Sequence, residues 1–298
     1  SLPSRGLGDV YKRQEDPDFS RSAVERSRGN TMKKVDLGHA KIAVHLAGDK
    51  GPILALAHGF PLDHSMWKYQ IEYFSTRTRV VAFDLRGFGQ STGGSENCTM
   101  ADYADDCAAA LTALGFEKPV VFCGLSMGGY VAWQFWKRHR QMLAGLILCD
   151  TRSAADTEEV ARGRRRMAFD VLARGSHFVA DAMLPRLMAP QTFEQFPDRV
   201  EMLRRVMAET SPEAISTAQR AMASRIDVTR WLPQIDIPTL AICGVEDEIS
   251  RVDEMETFTG QMPMANLSVI SSAGHMAPLE NPAAVNEAIE KFLETAVD

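Results

Sequence analysis

Cysteine is scarce in this 298-residue chain: there are five, at 98, 107, 123, 149 and 243, odd in number, scattered and mostly in apolar surroundings. That excludes a disulfide framework or a zinc motif and points to reduced thiols in a cytoplasmic protein. Aromatic residues make up only 8%, and no apolar run approaches the roughly 20 residues that a membrane helix requires. A charged start followed by a short apolar stretch, the mark of a secretory signal, is also missing. Basic charge is not in excess: 33 Lys and Arg stand against 39 Asp and Glu, a net charge of −6, so nothing recommends a nucleic-acid partner. Apolar residues, by contrast, reach 45%, enough for a large buried core and too many for a disordered or fibrous chain. A chain of this length with alternating strands and helices can be one α/β domain.

Residues 1–31 are polar, rich in Arg and Ser, and lack a periodic apolar face. The stretch Asp9-Val-Tyr-Lys-Arg-Gln14 resembles the translation of a transposon end used in preparing sequencing libraries. A non-native or disordered extension is therefore expected over 1–31, with Met32 as the true start.

From Met32 onward strands alternate with helices. Residues 33–47 read as two strands around a Leu37-Gly38-His39 turn. Short apolar runs follow at 53–57, 80–83, 120–123, 146–149, 240–243 and 267–270, each suited to a strand buried on both faces of a parallel sheet. Helical patterns lie between them near 64–75, 102–114, 127–139, 251–260 and 282–295, the last with Asn281-Pro282 at its start. This alternation predicts an open, mostly parallel sheet flanked by helices. Between Asp150 and Pro238 no strand is evident, only charged and Met-rich helical stretches. That segment reads as an insertion lying over the carboxyl ends of the strands, where open α/β sheets bind ligands.

The sharpest local signal is Gly124-Leu-Ser-Met-Gly-Gly129, placed after an apolar strand and before a helix. A serine in so tight a turn needs neighbours without side chains two residues to either side, and Gly124 and Gly128 meet that need. The turn lifts the Ser126 hydroxyl above the sheet, at a helix N-terminus that favours developing negative charge.

A serine nucleophile needs a base and a group that orients the base. Of seven histidines only His275 sits in a short loop after the last strand, within Ala273-Gly-His-Met276. For the acid, Asp247 follows the strand 240–243 and lies between serine and histidine in chain order, which favours it over Asp150 at the end of an earlier strand. Adjacent Glu246 is expected to point elsewhere. Two backbone N–H groups should meet a developing oxyanion. One is the amide of Met127; the other is that of Phe60, in the loop His58-Gly-Phe-Pro61, where Pro61 has no N–H to offer. His58 itself reads as a residue that fixes this loop.

Taken together, His58–Pro61, Asp84–Ser91, Gly124–Gly129, Gly244–Asp247 and Gly274-His275 resemble the α/β-hydrolase superfamily over essentially all of 33–298. The resemblance implies a triad of Ser126, Asp247 and His275, an oxyanion hole at the Phe60 and Met127 amides, and a mobile helical cap. The cap is expected over 152–232, on a core of 32–151 and 233–298. A serine at 126 departs from the haloalkane dehalogenases and soluble epoxide hydrolases, which carry aspartate there. Within the superfamily the chain looks like the group of beta-ketoadipate enol-lactonases, aryl esterases and cofactor-free perhydrolases. The stretch Asp84–Ser91 is expected to shape a loop without taking part in chemistry.

In the insertion, Met167, Met183, Met188, Met202, Met207 and Met222, with Phe169, Phe178, Phe193 and Phe196, are candidates either to line an apolar acyl pocket or to pack helices together. Met183, Met188 and Trp67, the last near the loop His58–Pro61, are the candidates for substrate contact, with Trp67 equally suited to packing the helix 64–75. The run Arg162–Arg166 reads as a solvated helix face, given Glu158 and Glu159 before it. The expectation is thus a serine hydrolase of small to medium apolar esters or lactones, monomeric or weakly dimeric, needing no metal or organic cofactor. Its alternatives are a carbon–carbon bond hydrolase of aromatic degradation or a perhydrolase with the same triad, and a ligand receptor or carrier on the same fold. An aminopeptidase would need Glu194, Glu201 or Glu209 near a substrate amine. A chain beginning at Met32 is expected to match the full chain in melting temperature and activity; loss of folding on that truncation would refute a non-native 1–31.

Overall fold

The structure, a computed structural model, describes residues 30–94 and 97–296. The extension expected over 1–31 lies outside the described residues except for Asn30 and Thr31, and Thr31 already pairs with Leu46 in the first hairpin. Eight strands form one sheet: β1 (Thr31–Asp36), β2 (Lys41–Ala47), β3 (Ile53–Ala57), β4 (Arg79–Phe83), β5 (Val120–Leu125), β6 (Leu143–Cys149), β7 (Thr239–Gly244) and β8 (Ala265–Ile270). Their spatial order is β1-β2-β4-β3-β5-β6-β7-β8. The β1–β2 and β2–β4 pairs are antiparallel, and every pair from β4 to β8 is parallel.

The apolar runs divide between two cores by strict alternation, because successive side chains of a strand face opposite sides. Ala55, Val81, Phe122, Leu148 and Ala241 face one core, which holds α2 (Met100–Ala113), α3 (Met127–His139) and α9 (Val252–Thr259). Leu56, Ala82, Cys123, Ile147 and Ile242 face the other, packed by α1 (Lys68–Phe74) and α11 (Pro282–Ala296). Helices on both faces are why β3, β5 and β7 are buried throughout. β8 departs from that expectation. It is the edge strand, and Val269 stays 44% exposed because no neighbour covers its outer side.

Between β6 and β7 the chain forms α4 (Glu158–Arg174), α5 (Ser176–Leu187), α6 (Pro190–Gln195), α7 (Pro197–Glu209) and α8 (Pro212–Ala223), with no strand among them. The two stems of this insertion run side by side, with the Val228 N–H donating to the Ser153 carbonyl at 3.0 Å. Asp156 on the way out pairs with Arg225 on the way back at 2.6 Å, and both are almost completely buried. A second arginine on Asp156 corrects the reading of the arginine run. Arg165 and Arg166 are exposed as expected, but Arg164 turns inward to Asp156 at 2.7 Å. Among the described residues no helix is long and apolar enough to cross a membrane.

The order of strands reverses between β3 and β5: from β3 the chain moves one way to β4, then crosses back through α2 to β5 and continues the other way. A crevice opens at such a switch point, outside the carboxyl ends of the strands. The core beneath it is dense, with Phe122 and Phe135 stacked at a centroid distance of 4.6 Å and both fully buried. Phe135→Ala is expected to lower unfolding free energy by about 3–5 kcal/mol, read by urea denaturation.

Candidate active site

Ser126 ends β5 and caps α3 with φ of 53° and ψ of −109°, a left-handed backbone that a residue with a side chain adopts only under compulsion. The compulsion comes from crowding. A Cβ on Gly124 would overlap the Gly128 carbonyl, and one on Gly128 would overlap the Ala57 carbonyl. The turn is further held by the Ser126 N–H donating to the Cys149 carbonyl at 2.9 Å and by the Thr151 hydroxyl donating to the Ser126 carbonyl at 2.8 Å.

Three side chains from three strand ends meet in a line. His275 Nε2 lies 2.8 Å from Ser126 Oγ, and His275 Nδ1 lies 2.8 Å from Asp247 Oδ2. An ionised carboxylate only accepts, so the proton between ring and acid belongs on Nδ1 and leaves Nε2 free to accept from the serine hydroxyl. Asp247 is itself held by the backbone N–H groups of Ile249 and Ser250, which donate to Oδ1 at 2.7 and 3.0 Å. Chemically, such a line can serve as a nucleophile, a base and a group that orients the base.

Asp150, the rival acid, is fully buried at the end of β6 and does not reach the imidazole: its Oδ1 accepts from the Gly244 N–H at 2.8 Å. Burial, then the nearby Asp247 charge, pushes its carboxyl well above the usual range. Glu246 points away, as expected, and pairs with Gln191 of α6.

The loop after β3 lies against the nucleophile: a Cβ on Gly59 would stand 3.6 Å from Ser126 Cβ. Among the described residues neither the Phe60 nor the Met127 N–H has an acceptor. His58 fixes the loop from below. Its Nδ1–H donates to the Gly59 carbonyl at 2.8 Å and its Nε2 accepts from the Leu85 N–H at 3.0 Å, while burial holds the ring below its usual pKa. Asp84, fully buried, accepts from the His64 ring and backbone at 2.6 and 2.9 Å and from the Gln90 N–H at 2.8 Å. Burial opposes this ion pair, but the hydrogen bond and charge prevail, so Asp84 is lowered and His64 raised. The stretch Asp84–Ser91 thus ties the loop after β3 to the loop after β4.

A sequence profile described as alpha/beta hydrolase fold matches residues 52–282, which span β3 to β8 and all three of these side chains. The chain belongs to the α/β-hydrolase fold family. Among curated relatives, 3-oxoadipate enol-lactonase 2 of Acinetobacter baylyi is 28% identical over 247 residues, covering 82% of this chain and 89% of its own. A thermophilic esterase from Thermogutta terrifontis, solved with malate bound, superposes with a TM-score of 0.87 at 40% identity, over 90% of this chain and all (100%) of its own. The enol-lactonase of Burkholderia xenovorans LB400 gives a TM-score of 0.82 at 25% identity, over 88% and 100%. The protein is accordingly an α/β hydrolase with esterase and enol-lactonase relatives.

The other candidates of this hydrolase are spread more widely. Trp67 is fully buried at the end of a 3-10 turn, in one core cluster with Met188, and its indole N–H has no partner. Met183 is half-buried against both cores. Phe169 and Phe193 point outward, at 69% and 36% exposure, so they line no interior pocket. Glu194, Glu201 and Glu209 all face solvent, which leaves an aminopeptidase without an internal acid from this set. A cavity of about 550 Å³ opens between the Asp84–Ser91 loop and α8, lined by Arg86, Tyr103, Ser211, Glu213 and Ser216 among others, and it touches none of Ser126, Asp247 and His275. Sequence reasoning missed Thr151 and Glu280, whose carboxylate binds the His275 loop. The one signal for Glu280 is an acid five residues after His275 in an otherwise apolar stretch.

Asp150, raised in the folded protein, binds a proton that the unfolded chain releases from about pH 4 upward, so it lowers stability as pH rises through that range. Asp150→Asn is expected to raise the melting temperature at pH 7–8, with the gain shrinking toward pH 4; a melting series over pH measures it. Gly128→Ala is expected to abolish soluble folded protein, since its methyl would meet backbone that cannot move aside.

Proposed function

We propose that this α/β hydrolase is a serine esterase or lactonase that cleaves small to medium apolar carboxylic esters through an acyl-enzyme. The observation that carries the reading is the continuous hydrogen-bonded line from Ser126 Oγ through His275 to Asp247, both links at 2.8 Å. His275 Nε2 takes the hydroxyl proton as Ser126 attacks the carbonyl carbon, and Asp247 steadies the imidazolium. The tetrahedral oxyanion turns toward the Phe60 and Met127 amides, each worth about 3 kcal/mol to the transition state. His275 returns the proton to the departing alcohol, then activates the water that releases the acid.

The ester and lactone class is supported by the enol-lactonase and esterase names among the relatives. A serine with this partner set also suits carbon–carbon bond cleavage and perhydrolysis; a panel of aryl esters, lactones and ring-cleavage products, run with and without peroxide, separates the three.

Intact mass after a fluorophosphonate probe is the direct test. One adduct is expected on the wild type and none on Ser126→Ala; an unlabelled wild type would overturn the proposal. Ser126→Ala is expected to lower kcat by about 10⁶-fold and Asp247→Asn by about 10⁴-fold, with KM near the wild-type value in both.

A further inference from the structure

Glu280 closes the short helix α10 (Ala277–Glu280) and is only 4% exposed. Its carboxylate meets four donors and no acceptor. Oε1 accepts from the backbone N–H groups of Gly274 at 2.8 Å and Met276 at 3.1 Å, the two residues on either side of His275. Oε2 accepts from the Ala189 N–H at 2.7 Å and the Thr192 hydroxyl at 2.6 Å, both in the helical insertion. The insertion also grips the backbone here, with Arg199 of α7 donating to the carbonyls of Leu279 and Glu280 at 2.8 and 3.2 Å. Gly274 lets the two parts close on each other, since a Cβ there would come within 2.8 Å of the Ala189 nitrogen. Burial pushes the Glu280 carboxyl above the usual range, against the pull of these hydrogen bonds.

We propose that Glu280 is a positioning residue: one carboxylate, shared between the loop that carries His275 and the segment 189–192 of the insertion, sets the imidazole in line only while the insertion is seated. The proposal rests on the serine-hydrolase reading above. One oxygen fixes the peptide groups before and after His275, so it controls where the ring hangs. The other is held by the insertion, so unseating 189–192 leaves the carboxylate with half its partners and the loop free to shift. Misplacing a base by about 1 Å can lower a rate by about 10²-fold with binding intact. Seating of the insertion and assembly of the site are therefore one event, joined at a single side chain.

The test compares the full-length wild type with Thr192→Val, Glu280→Gln and Glu280→Ala. Each is checked by circular dichroism and melting, then assayed on a soluble aryl ester, with sites counted by fluorophosphonate labelling. Thr192→Val removes one donor on the insertion side and leaves the His275 loop untouched. It is expected to lower kcat per labelled site several-fold with KM within two-fold. Glu280→Gln, which keeps one accepting oxygen, is expected to fall about 10-fold and Glu280→Ala about 10²-fold. In the Glu280→Ala background Thr192→Val should have no further effect on kcat, because the coupling passes through the missing carboxylate. Should Glu280→Ala not fold, the comparison is made in Glu280→Gln, where Thr192→Val is expected to have a smaller effect on kcat than in the wild type and an equal effect would overturn the coupling. Wild-type kcat per site in the folded variants, or a change in KM alone, would overturn the positioning role. An unlabelled and inactive wild type would instead bring down the serine-hydrolase reading, and this proposal with it.

Discussion

Everything in the site hangs on a turn that most residues could not make. Ser126 holds a φ of 53° because the backbone of Gly124 is pressed on the Gly128 carbonyl and that of Gly128 on the Ala57 carbonyl. The strain is spread over backbone contacts among β3, β5 and the first turn of α3, so it cannot relax without separating the central strands. That is what keeps the hydroxyl proud of the sheet. It also makes the serine, the Gly59 loop and the start of α3 one rigid body. The two amides proposed for the oxyanion are built into that body and need no rearrangement as charge develops.

Around this fixed point buried polar side chains hold the neighbouring loops. Asp247 is held by two amides of its own loop, His58 by the peptides of two loops, and Asp84 by a histidine and two more backbone N–H groups. Each buried polar side chain is thereby used to hold backbone. Asp150 differs: among the described residues only one of its carboxylate oxygens has a partner, the Gly244 N–H, and burial pushes its carboxyl well above the usual range.

The fold was legible where short-range rules act. The turn Gly124–Gly129, the helix 127–139, the apolar five-residue strands and the strandless stretch after β6 all follow from local spacing, and each lies where that spacing places it. That Ser126, His275 and Asp247 would meet could be read from their places at strand ends in a fixed order. What stayed hidden depends on partners far away in the chain. Glu280 finds its insertion partners 88 and 91 residues earlier. Arg164 looks like its exposed neighbours in sequence and turns inward only because Asp156 lies beneath it. Phe169 is apolar and yet faces out, since helix periodicity gives a direction only after the packing partner is known. β8 has the composition of an interior strand, and its exposure comes from its place at an edge of the sheet.

The parallel stems at Ser153 and Val228 have an evolutionary meaning. Because the insertion leaves and re-enters the sheet through adjacent points joined by a backbone hydrogen bond and the Asp156–Arg225 pair, its ends are already closed whatever lies between them. Lengthening such a closed excursion carries a small entropic penalty, about 0.6 kcal/mol per doubling. The insertion can therefore be rebuilt, lengthened or exchanged over generations while the strands of the sheet stay in register. A lineage on this scaffold is free to change what it accepts far faster than how it reacts.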